Sequence, residues 1–425
     1  MLRIAIVSEH ASPLALIGGI DSGGQNVYVA SITRQLARSG HRVDVFTRRD
    51  NPLLPSVVHW KKNARVIHVD AGPRRFVPKE ELLPYMDAFS DSIAAFFRDQ
   101  ERPYDVIHAN FFMSGLAAMK VRDEFDVPLV MTFHALGLVR RKYQRDADRF
   151  PDARFDIEAR LIADCDRIVA ECPQDKADML GMYGAVEDKI DVVPCGFDPE
   201  ELWPIDRSEA RAMLGWSSDE FNVLQLGRLV PRKGVDNVIR ALGFLRREHG
   251  VNARLHIVGG NSDLPNMVAT PEIERLARLA LELGVADEVD FVGRRGRDAL
   301  SIYYSAADVF VTTPWYEPFG ITPLEAMACA TPVVGAAVGG IPFTVEDEHT
   351  GFLVPPHDPR ALACSLARVH GDPALARRIA QAGYARVKRA FTWRHVSRSL
   401  LGVYERARRV SVDPAALRAG GSLHA

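Results

Sequence analysis

Short apolar runs rich in β-branched residues alternate with helical stretches along most of this chain, and the alternation begins twice. The first series opens at residues 2–7, and a second series opens afresh at residues 222–229. Strands that alternate with helices form parallel sheets with helices on both faces. A chain of 425 residues is also too long for one compact core. We therefore predict an α/β protein with two doubly wound parallel-sheet domains of about 200 residues each.

Two glutamates, Glu317 and Glu325, follow the apolar run at residues 308–313. Thr322 and Pro323 predict the start of a helix, with Thr322 as the N-cap and Pro323 as the first helical residue. Glu317 is then on a loop at the carboxyl end of a strand, where parallel sheets bind ligands, and Glu325 is in the first helical turn. Two carboxylates there can hold sugar and ribose hydroxyls. Thr322-x-x-Glu325 also fits a capping box that serves the helix alone, and spacing leaves the two interpretations even.

Two further segments have the composition of phosphate sites. Residues 18–25 form a glycine-rich loop between the first strand and a predicted helix, an arrangement that cradles phosphates. Glycines that only relieve a tight turn would look the same. The spacing is not G-x-G-x-x-G, which argues against a dinucleotide-binding oxidoreductase. In the second half, Arg228 and Lys233 lie between a strand and a helix, where they can neutralise a diphosphate, although surface charge is the usual explanation for either residue.

His134 stands at the end of the predicted strand at residues 129–133, before a basic run at residues 140–145. A lone histidine is more often structural than catalytic, but its position at the carboxyl end of a strand makes it a candidate site residue.

Composition excludes several classes of protein. A formal net charge of −2 argues against bulk binding of nucleic acid. Five cysteines without a C-x-x-C pair indicate neither a zinc site nor a disulfide framework, and we expect a reducing cytoplasm. The sequence shows no secretory signal and no apolar run of about 18 residues, so we predict no membrane span. Basic clusters at residues 140–145 and 386–409 leave a peripheral membrane contact open, beside the more usual solvated face.

Five motifs, in the same order along the chain, resemble those of the retaining nucleotide-sugar glycosyltransferases of family 4. They are the glycine loop, the segment around His134, G-R-L-x-x-x-K-G at residues 227–234, the two-glutamate stretch with its Gly-Gly-x-Pro loop, and the turn at residues 350–355. The glycine loop is similar to that of sucrose-phosphate synthases and mycothiol glycosyltransferases. The resemblance covers residues 2–410 and implies the GT-B fold, with two Rossmann-like domains facing across a cleft.

The domain boundaries that we predict follow from this comparison. We expect an acceptor-binding domain at residues 1–198, a connection at 199–220, a nucleotide-sugar-binding domain at 221–390, a helix at 391–410 that returns to the first domain, and a disordered tail at 411–425.

The resemblance also implies site residues. The predicted catalytic residues are His134, Glu317, Arg228 and Lys233. The predicted donor-binding residues are Gly23, Gly24, Arg228, Lys233, Arg295, Glu317, Phe319, Gly320, Ile321 and Glu325. The predicted acceptor-binding residues are Gly19, Gln25, Asn26, Lys79, Arg140, Arg141 and Arg154. Two features depart from these relatives. The stretch at residues 108–115 has phenylalanine where the mycothiol enzymes have a phosphate-binding tyrosine, and Ala135 replaces the hydroxyl residue that is usual after the histidine in both groups.

The implied reaction is retaining transfer of a hexosyl group, with glucose from UDP-glucose as the expected donor group and a phosphorylated sugar or polyol such as fructose 6-phosphate as the acceptor. Transfer from UDP-N-acetylglucosamine to an inositol phosphate, or glycan assembly, stays open as an alternative. A nucleotide-sugar epimerase and a non-catalytic sensor are the rival classes. We expect no cofactor and no metal, and interpret Asp146-x-Asp148 and Asp164-x-Asp166, which match a metal-binding pattern of other glycosyltransferases, as surface aspartates. The oligomeric state stays open.

Overall fold

The computed structural model of the chain describes residues 1–15 and 23–412, with side chains described as far as residue 409. The chain divides into two compact units. The first comprises residues 1–15, residues 24–194 and the described chain from residue 393 onward. The second comprises residues 195–392 together with Gly23.

The described part of the chain alternates strands and helices throughout. The strands are β1 (Arg3–Val7), β2 (Arg42–Arg48), β3 (Val57–Lys61), β4 (Ala64–Val69), β5 (Val106–Asn110), β6 (Leu129–Thr132), β7 (Arg167–Ala170), β8 (Ile190–Val192), β9 (Phe221–Leu226), β10 (Ala253–Val258), β11 (Val289–Gly293), β12 (Val309–Thr312), β13 (Val333–Ala336) and β14 (Phe352–Val354). The helices are α1 (Gly24–Arg38), α2 (Met86–Arg98), α3 (Phe112–Phe125), α4 (Gly137–Gln144), α5 (Ala153–Asp164), α6 (Pro173–Tyr183), α7 (Arg207–Leu214), α8 (Val235–His249), α9 (Pro271–Glu282), α10 (Leu300–Ala306), α11 (Ile321–Ala328), α12 (Ile341–Thr344), α13 (Pro359–Gly371), α14 (Pro373–Ala390) and α15 (Trp393–Val412).

The first unit is built on a sheet with strand order β3-β4-β2-β1-β5-β6-β7-β8. All neighbouring strands are parallel except β3, which pairs antiparallel with β4. β3 is not predicted from the sequence, because this edge strand is only partly buried and its polar residues give no apolar run. The winding direction reverses between β1 and β5, so the carboxyl ends of these two strands flank a crevice of the kind that binds ligands.

The second unit is built on an all-parallel sheet with strand order β11-β10-β9-β12-β13-β14. Its core joins the apolar faces of this sheet to α8, α9 and α13, with fully buried residues such as Val223, Leu255 and Leu366. The winding direction reverses between β9 and β12. The two doubly wound parallel-sheet domains predicted from the sequence are therefore confirmed.

The last described helix, α15, belongs to the first unit. Trp393 at its start is buried, with its ring centroid 5.8 Å from that of Tyr28 on α1. Further along, the hydroxyl of Tyr404 lies 2.8 Å from Nδ1 of His108 on β5. The helix thus completes the first unit although the whole second unit separates it from β8 in sequence.

Two predicted segments are placed as follows. The segment interpreted as a connection, residues 199–220, packs in the second unit, where Arg211 of α7 pairs with Asp308 at 2.6 Å. Of the predicted tail, residues 411 and 412 end α15, and residues 413–425 lie outside the described residues. No helix within residues 1–15 and 23–412 has the length and apolar character needed to cross a membrane.

Candidate functional site

The loops that follow β9 and β12 meet where the second sheet reverses its winding direction. These strands are neighbours in the sheet, so their carboxyl ends lie together. Lys233 ends the short turn Pro231–Lys233 after β9, and Glu317 lies on the loop after β12. The Lys233 ammonium donates a hydrogen bond to Glu317 Oε2, and Arg232 Nη1 lies 3.7 Å from the same oxygen. The structure thus joins two predicted site residues and adds Arg232, which the motif did not single out.

Charge and burial set the protonation of this cluster. Burial would raise the pKa of the Glu317 carboxyl, but the charge and hydrogen bond of Lys233 hold that pKa below its ordinary value. Arg232 and Arg228 lower the same pKa through their charges. Burial lowers the pKa of the Lys233 ammonium, although the charge of Glu317 opposes this. The charge of Arg228, which the motif predicted, thus affects the pKa of both Glu317 and Lys233. Three cations therefore surround one carboxylate, and their excess positive charge can bind a diphosphate.

Two glycines at positive φ allow these loops to approach each other. Gly234 has φ +65°, and a Cβ there would clash with the carbonyl oxygen of Thr313 beside β12. Gly339, on the loop after β13, has φ +52°, and a Cβ there would clash with the carbonyl oxygen of Glu317. A larger residue at either position would therefore displace one half of the Lys233–Glu317 pair.

The helix that carries Glu325 begins earlier than the sequence predicts. α11 begins at Ile321 with Gly320 as its N-cap at φ +89°, and no side chain caps it. Thr322 is therefore not the N-cap, and Pro323 is the third helical residue rather than the first. The capping box between Thr322 and Glu325 is wrong as well, because the glycine turn places the helix start two residues earlier than the Thr-Pro pair predicts.

The Glu325 carboxylate instead accepts hydrogen bonds from two side chains that were not predicted from the sequence. Its Oε1 accepts a hydrogen bond of 3.0 Å from Arg297 Nη1, and its Oε2 accepts one of 2.9 Å from the Tyr304 hydroxyl. Arg297 also donates to Glu201 at 2.8 Å. A carboxyl group that is only 3% exposed would be costly to bury without such partners. Glu325 is therefore part of a buried ionic network within the second unit.

The remaining predicted donor residues of the second unit lie on the same edge of the sheet. Phe319 is buried, and Gly320 and Ile321 form the turn into α11. Arg295 follows β11, which is two strands away from β9, a distance of about 10 Å across a sheet. Its guanidinium braces the neighbouring loop, with bonds of 2.8 Å to the Tyr303 hydroxyl and 2.7 Å to the Asp263 carbonyl oxygen. Arg295 is thus set apart from the Lys233–Glu317 pair.

In the first unit, His134 follows β6 and is held from the carboxyl ends of both neighbouring strands. Its Nδ1 lies 2.9 Å from Glu171 Oε1 after β7, and its Nε2 lies 3.0 Å from Asn110 Oδ1 at the end of β5. The Asn110 amide nitrogen donates to the His108 carbonyl oxygen at 3.2 Å, which directs its oxygen toward His134. Both partners offer an oxygen atom to a ring nitrogen, so the two contacts fix the orientation of the imidazole. The Tyr28 ring packs edge-on against this imidazole at 4.9 Å.

The basic residues predicted to meet an acceptor phosphate are already paired. Arg140 Nε donates to Asp148 Oδ1 at 2.7 Å, and Arg141 Nη2 donates to Asp152 Oδ1 at 2.7 Å. The same Asp148 is buried, so its interpretation as a surface aspartate is wrong, and the reason is this pairing with Arg140. Arg140 and Arg141, which the sequence predicted to bind the acceptor, therefore each pair with a carboxylate of this chain. Arg154 forms a third such pair.

Arg154 is enclosed most completely. Its Nε donates to Glu158 Oε1 at 2.7 Å, its Nη2 donates to the Ala135 carbonyl oxygen, and its Nη1 is buried without a hydrogen-bond partner. The guanidinium lies 4.8–5.0 Å from three aromatic ring centroids, those of Phe111, Phe112 and Phe150. Glu158 in turn accepts from the backbone nitrogen of Gly137 at 2.8 Å. The pair thus fixes the loop that follows His134.

The glycine loop is described only in part. Gly19 lies outside the described residues, Gly23 immediately precedes α1, and Gly24 is its first residue. Gln25 Nε2 donates to the Asn110 carbonyl oxygen at 3.2 Å, which joins the start of α1 to the end of β5. Asn26, the next residue of the predicted acceptor set, donates from Nδ2 to the Ser12 carbonyl oxygen at 3.0 Å. Lys79 lies apart from this loop in the chain and begins a short half-buried turn.

Metal-binding geometry is not found in the described part of the chain, where no three His, Cys, Asp or Glu side chains are grouped to hold an ion. Of the other D-x-D match, Asp166 is half-buried and accepts a hydrogen bond of 2.7 Å from the backbone nitrogen of Leu129. It therefore stabilises the start of β6.

Comparison with known proteins agrees with the fold in both units. The family model described as "Glycosyltransferase Family 4" matches residues 22–201, and the model described as "Glycosyl transferases group 1" matches residues 206–386. A protein of Actinosynnema mirum named D-inositol 3-phosphate glycosyltransferase is 38% identical over 418 residues, which span 96% of this chain and 98% of that protein. A protein of the same name from Corynebacterium efficiens is 37% identical over 417 residues, 97% of each chain.

Solved structures give the same result. A sucrose-phosphate synthase from Thermosynechococcus elongatus superposes with a TM-score of 0.87 at 34% identity and covers 95% of this chain and 98% of its own. The Anabaena protein HepE, solved in complex with UDP-glucose, superposes with a TM-score of 0.75 at 20% identity over 95% of this chain and 100% of its own, a likeness of fold.

Proposed function

This chain belongs to glycosyltransferase family 4, the retaining enzymes with the GT-B fold, and we propose that it transfers glucose from UDP-glucose to a phosphorylated sugar such as fructose 6-phosphate. Hexosyl transfer is the activity of the family. The donor and acceptor are the proposal, together with the roles of individual residues.

One observation carries the proposal, namely the cluster of Lys233, Arg232 and Glu317 where the second sheet reverses its winding direction. Cleavage of a glycosyl phosphate develops negative charge on the departing diphosphate and positive charge on the sugar. Fixed cations that are already in place stabilise the first of these charges without reorganisation. Lys233 and Arg228 are assigned to the diphosphate and Glu317 to the hydroxyls of the donor sugar.

The remaining roles follow from the same assignment. Glu325 takes the ribose hydroxyls, and Arg295 lies near the base. His134, held between Glu171 and Asn110, is assigned to the sugar hydroxyls, one of which would replace Asn110 as the partner of its Nε2. No carboxylate is assigned as a covalent nucleophile. The acceptor attacks on the face from which the diphosphate leaves, and a phosphate oxygen takes the acceptor's proton.

A phosphorylated acceptor is supported by the names of the relatives. The curated relatives are named for D-inositol 3-phosphate, and the solved structure with 34% identity is a sucrose-phosphate synthase. The names of the curated relatives favour an inositol phosphate as acceptor, so transfer from UDP-N-acetylglucosamine to an inositol phosphate is the second candidate. Both candidates share an anionic acceptor, and they differ in donor sugar and in the ring that carries the phosphate.

A panel of donors and acceptors tests the proposal. UDP-glucose, ADP-glucose, GDP-glucose and UDP-N-acetylglucosamine are each incubated alone, with fructose 6-phosphate and with inositol 3-phosphate, and the products are identified by mass spectrometry. We expect UDP release that requires fructose 6-phosphate and a phosphorylated disaccharide as product. Conversion of the donor into another nucleotide sugar without acceptor would identify an epimerase, and donor binding without any turnover would identify a sensor.

Lys233→Ala supplies the residue-level test. Loss of the cation nearest Glu317 should reduce turnover by about 10²–10³-fold, the usual effect of removing one electrostatic contact to the reacting group. Lys388→Ala is the matched control, because Lys388 is an exposed lysine of α14 in the same unit. Turnover of the Lys233 variant at the level of the control would contradict the proposed role.

A further inference from the structure

We infer that Glu317 is an internal counter-ion that opposes the binding of a nucleoside diphosphate alone, favours the diphosphate sugar over the free diphosphate, and so promotes release of the product. The inference rests on the proposed function, because it takes Lys233 as a ligand of the diphosphate. It goes beyond that function by giving Glu317 a second task besides holding the sugar.

The contacts of Glu317 support this task. The oxygen Oε2 alone receives the hydrogen bond from Lys233 and the charge of Arg232 at 3.7 Å. Arg232 is oriented by a second bond of 3.2 Å from Nη1 to the Tyr316 carbonyl oxygen, beside Glu317 in the chain. The cations that would meet a diphosphate are therefore those that already balance this carboxylate.

The pair is also accessible. The side chains of Lys233, Glu317 and Arg232 are 17%, 14% and 20% exposed, so a ligand can reach all three. An incoming diphosphate that contacts Lys233 lies close to the Glu317 carboxylate, and like charges at that separation repel each other strongly outside bulk water. The carboxylate therefore lowers the affinity of the site for UDP.

When the diphosphate carries a donor sugar, the Glu317 carboxylate favours binding instead of opposing it. Sugar hydroxyls donate hydrogen bonds, and a hydrogen bond to an ionised carboxylate is stronger than one to a neutral acceptor. With the sugar in place, Glu317 gains partners that offset its repulsion of the diphosphate. After transfer the sugar has left, the repulsion returns, and Lys233 and Glu317 regain each other as partners. Glu317 thus lowers the affinity for UDP at the stage at which UDP must dissociate.

Glu325 provides an internal contrast. Its carboxylate is bound by Arg297 and Tyr304 and is only 3% exposed. Its charge is balanced by a cation that has no assigned ligand role. Because UDP and UDP-glucose carry the same ribose, loss of Glu325 should weaken both to a similar extent, whereas loss of Glu317 should change their ratio.

Titration calorimetry of UDP and UDP-glucose tests the inference on the full chain. We expect Glu317→Gln to bind UDP about tenfold more tightly than the wild type, a change of about 1.4 kcal/mol, and to lose at least tenfold of the preference for UDP-glucose over UDP. Glu317→Ala removes the same charge and should also bind UDP more tightly. It serves as the second variant if the glutamine protein is unstable in thermal unfolding.

Glu248→Gln is the charge-matched control, since Glu248 is exposed, lies in the same unit and pairs with Arg360 at 2.7 Å. Its affinity for both ligands should equal that of the wild type. Equal or weaker binding of UDP by both Glu317 variants would overturn the inference. A wild-type protein that binds neither UDP nor UDP-glucose would instead contradict the proposed function.

Discussion

The two units both place ion pairs at the carboxyl edge of a parallel sheet, but these pairs differ in access. In the second unit, the side chains of Lys233 and Glu317 are 17% and 14% exposed to solvent. In the first unit, the side chains of Arg154 and Glu158 are 1% and 0% exposed. A ligand can replace one partner of a solvent-accessible ion pair, whereas a fully buried pair becomes accessible only after the surrounding residues move. A motif that identifies a charged residue therefore does not by itself show whether that residue is available to a substrate.

The largest effect that separates the two cases concerns Arg154. Arg154→Met leaves Glu158 buried without its cation, which should cost about 3–5 kcal/mol of stability and lower the Tm by roughly 10 °C. Arg141→Met is the control, because the Arg141 side chain is 36% exposed and the loss of such a pair costs at most ~1 kcal/mol. Thermal unfolding measures both. An unchanged Tm together with a raised KM for a phosphorylated acceptor would show that the Arg154 pair is exchangeable like the Lys233 pair.

A smaller effect concerns the clamp on His134. In Glu171→Gln the His134 ring keeps a hydrogen-bond acceptor but loses the carboxylate charge beside it, so we expect kcat to fall about tenfold. The KM for the nucleotide sugar should stay close to that of the wild type, whereas a purely structural role would change both constants and lower the Tm. Glu187→Gln is the control, because Glu187 is exposed and pairs with Lys176. If the kcat of the Glu171 variant matched that of the control, Glu171 would not position His134 for the reaction.

The smallest effect concerns Asp175, whose carboxylate accepts a hydrogen bond of 3.0 Å from the backbone nitrogen of Glu171. Burial, with the charge of Glu171, raises the pKa of Asp175 to about 8. The folded chain then holds this proton up to about pH 8, while the unfolded chain releases it near pH 4, so stability falls as pH rises through that window. In Asp175→Asn the fall in Tm between pH 5 and pH 8 should be smaller than in the wild type, because asparagine does not titrate in that window. An unaltered pH dependence of Tm, equal to that of Asp188→Asn, would show that Asp175 contributes nothing to it.

The fold could be predicted from the sequence because most of its strands are buried on both faces. Such strands are near-continuous apolar runs, as at β9 and β12, and they can be recognised without knowing which strands lie beside them. β3 was missed because an edge strand has no such requirement. The start of α11 was misplaced because Gly320 supplies a turn where Thr322 and Pro323 offered a better sequence signal.

The sequence predicted residues of the candidate site but not their partners, and the reason is different. Motifs singled out Lys233 and Glu317, but their partnership depends on β9 and β12 being neighbours in the sheet, which the order of the chain does not state. The same holds for Asn110 and Glu171, which reach His134 from the strands on either side of β6. Arg297 and Tyr304 gave no signal, since an arginine is usually exposed and a single tyrosine belongs to no motif. Strand order was the missing information for the Lys233–Glu317 pair and for the partners of His134.

The position of α15 has a consequence for how this chain folds as it is synthesised. Trp393 and Tyr404 complete the surroundings of Tyr28 and His108, which lie near the other end of the chain. A ribosome therefore releases every residue of the second unit before it releases the helix that finishes the first. The second unit is contiguous apart from Gly23 and can mature while the first is still incomplete. Assembly of this chain thus finishes in the unit whose synthesis began first.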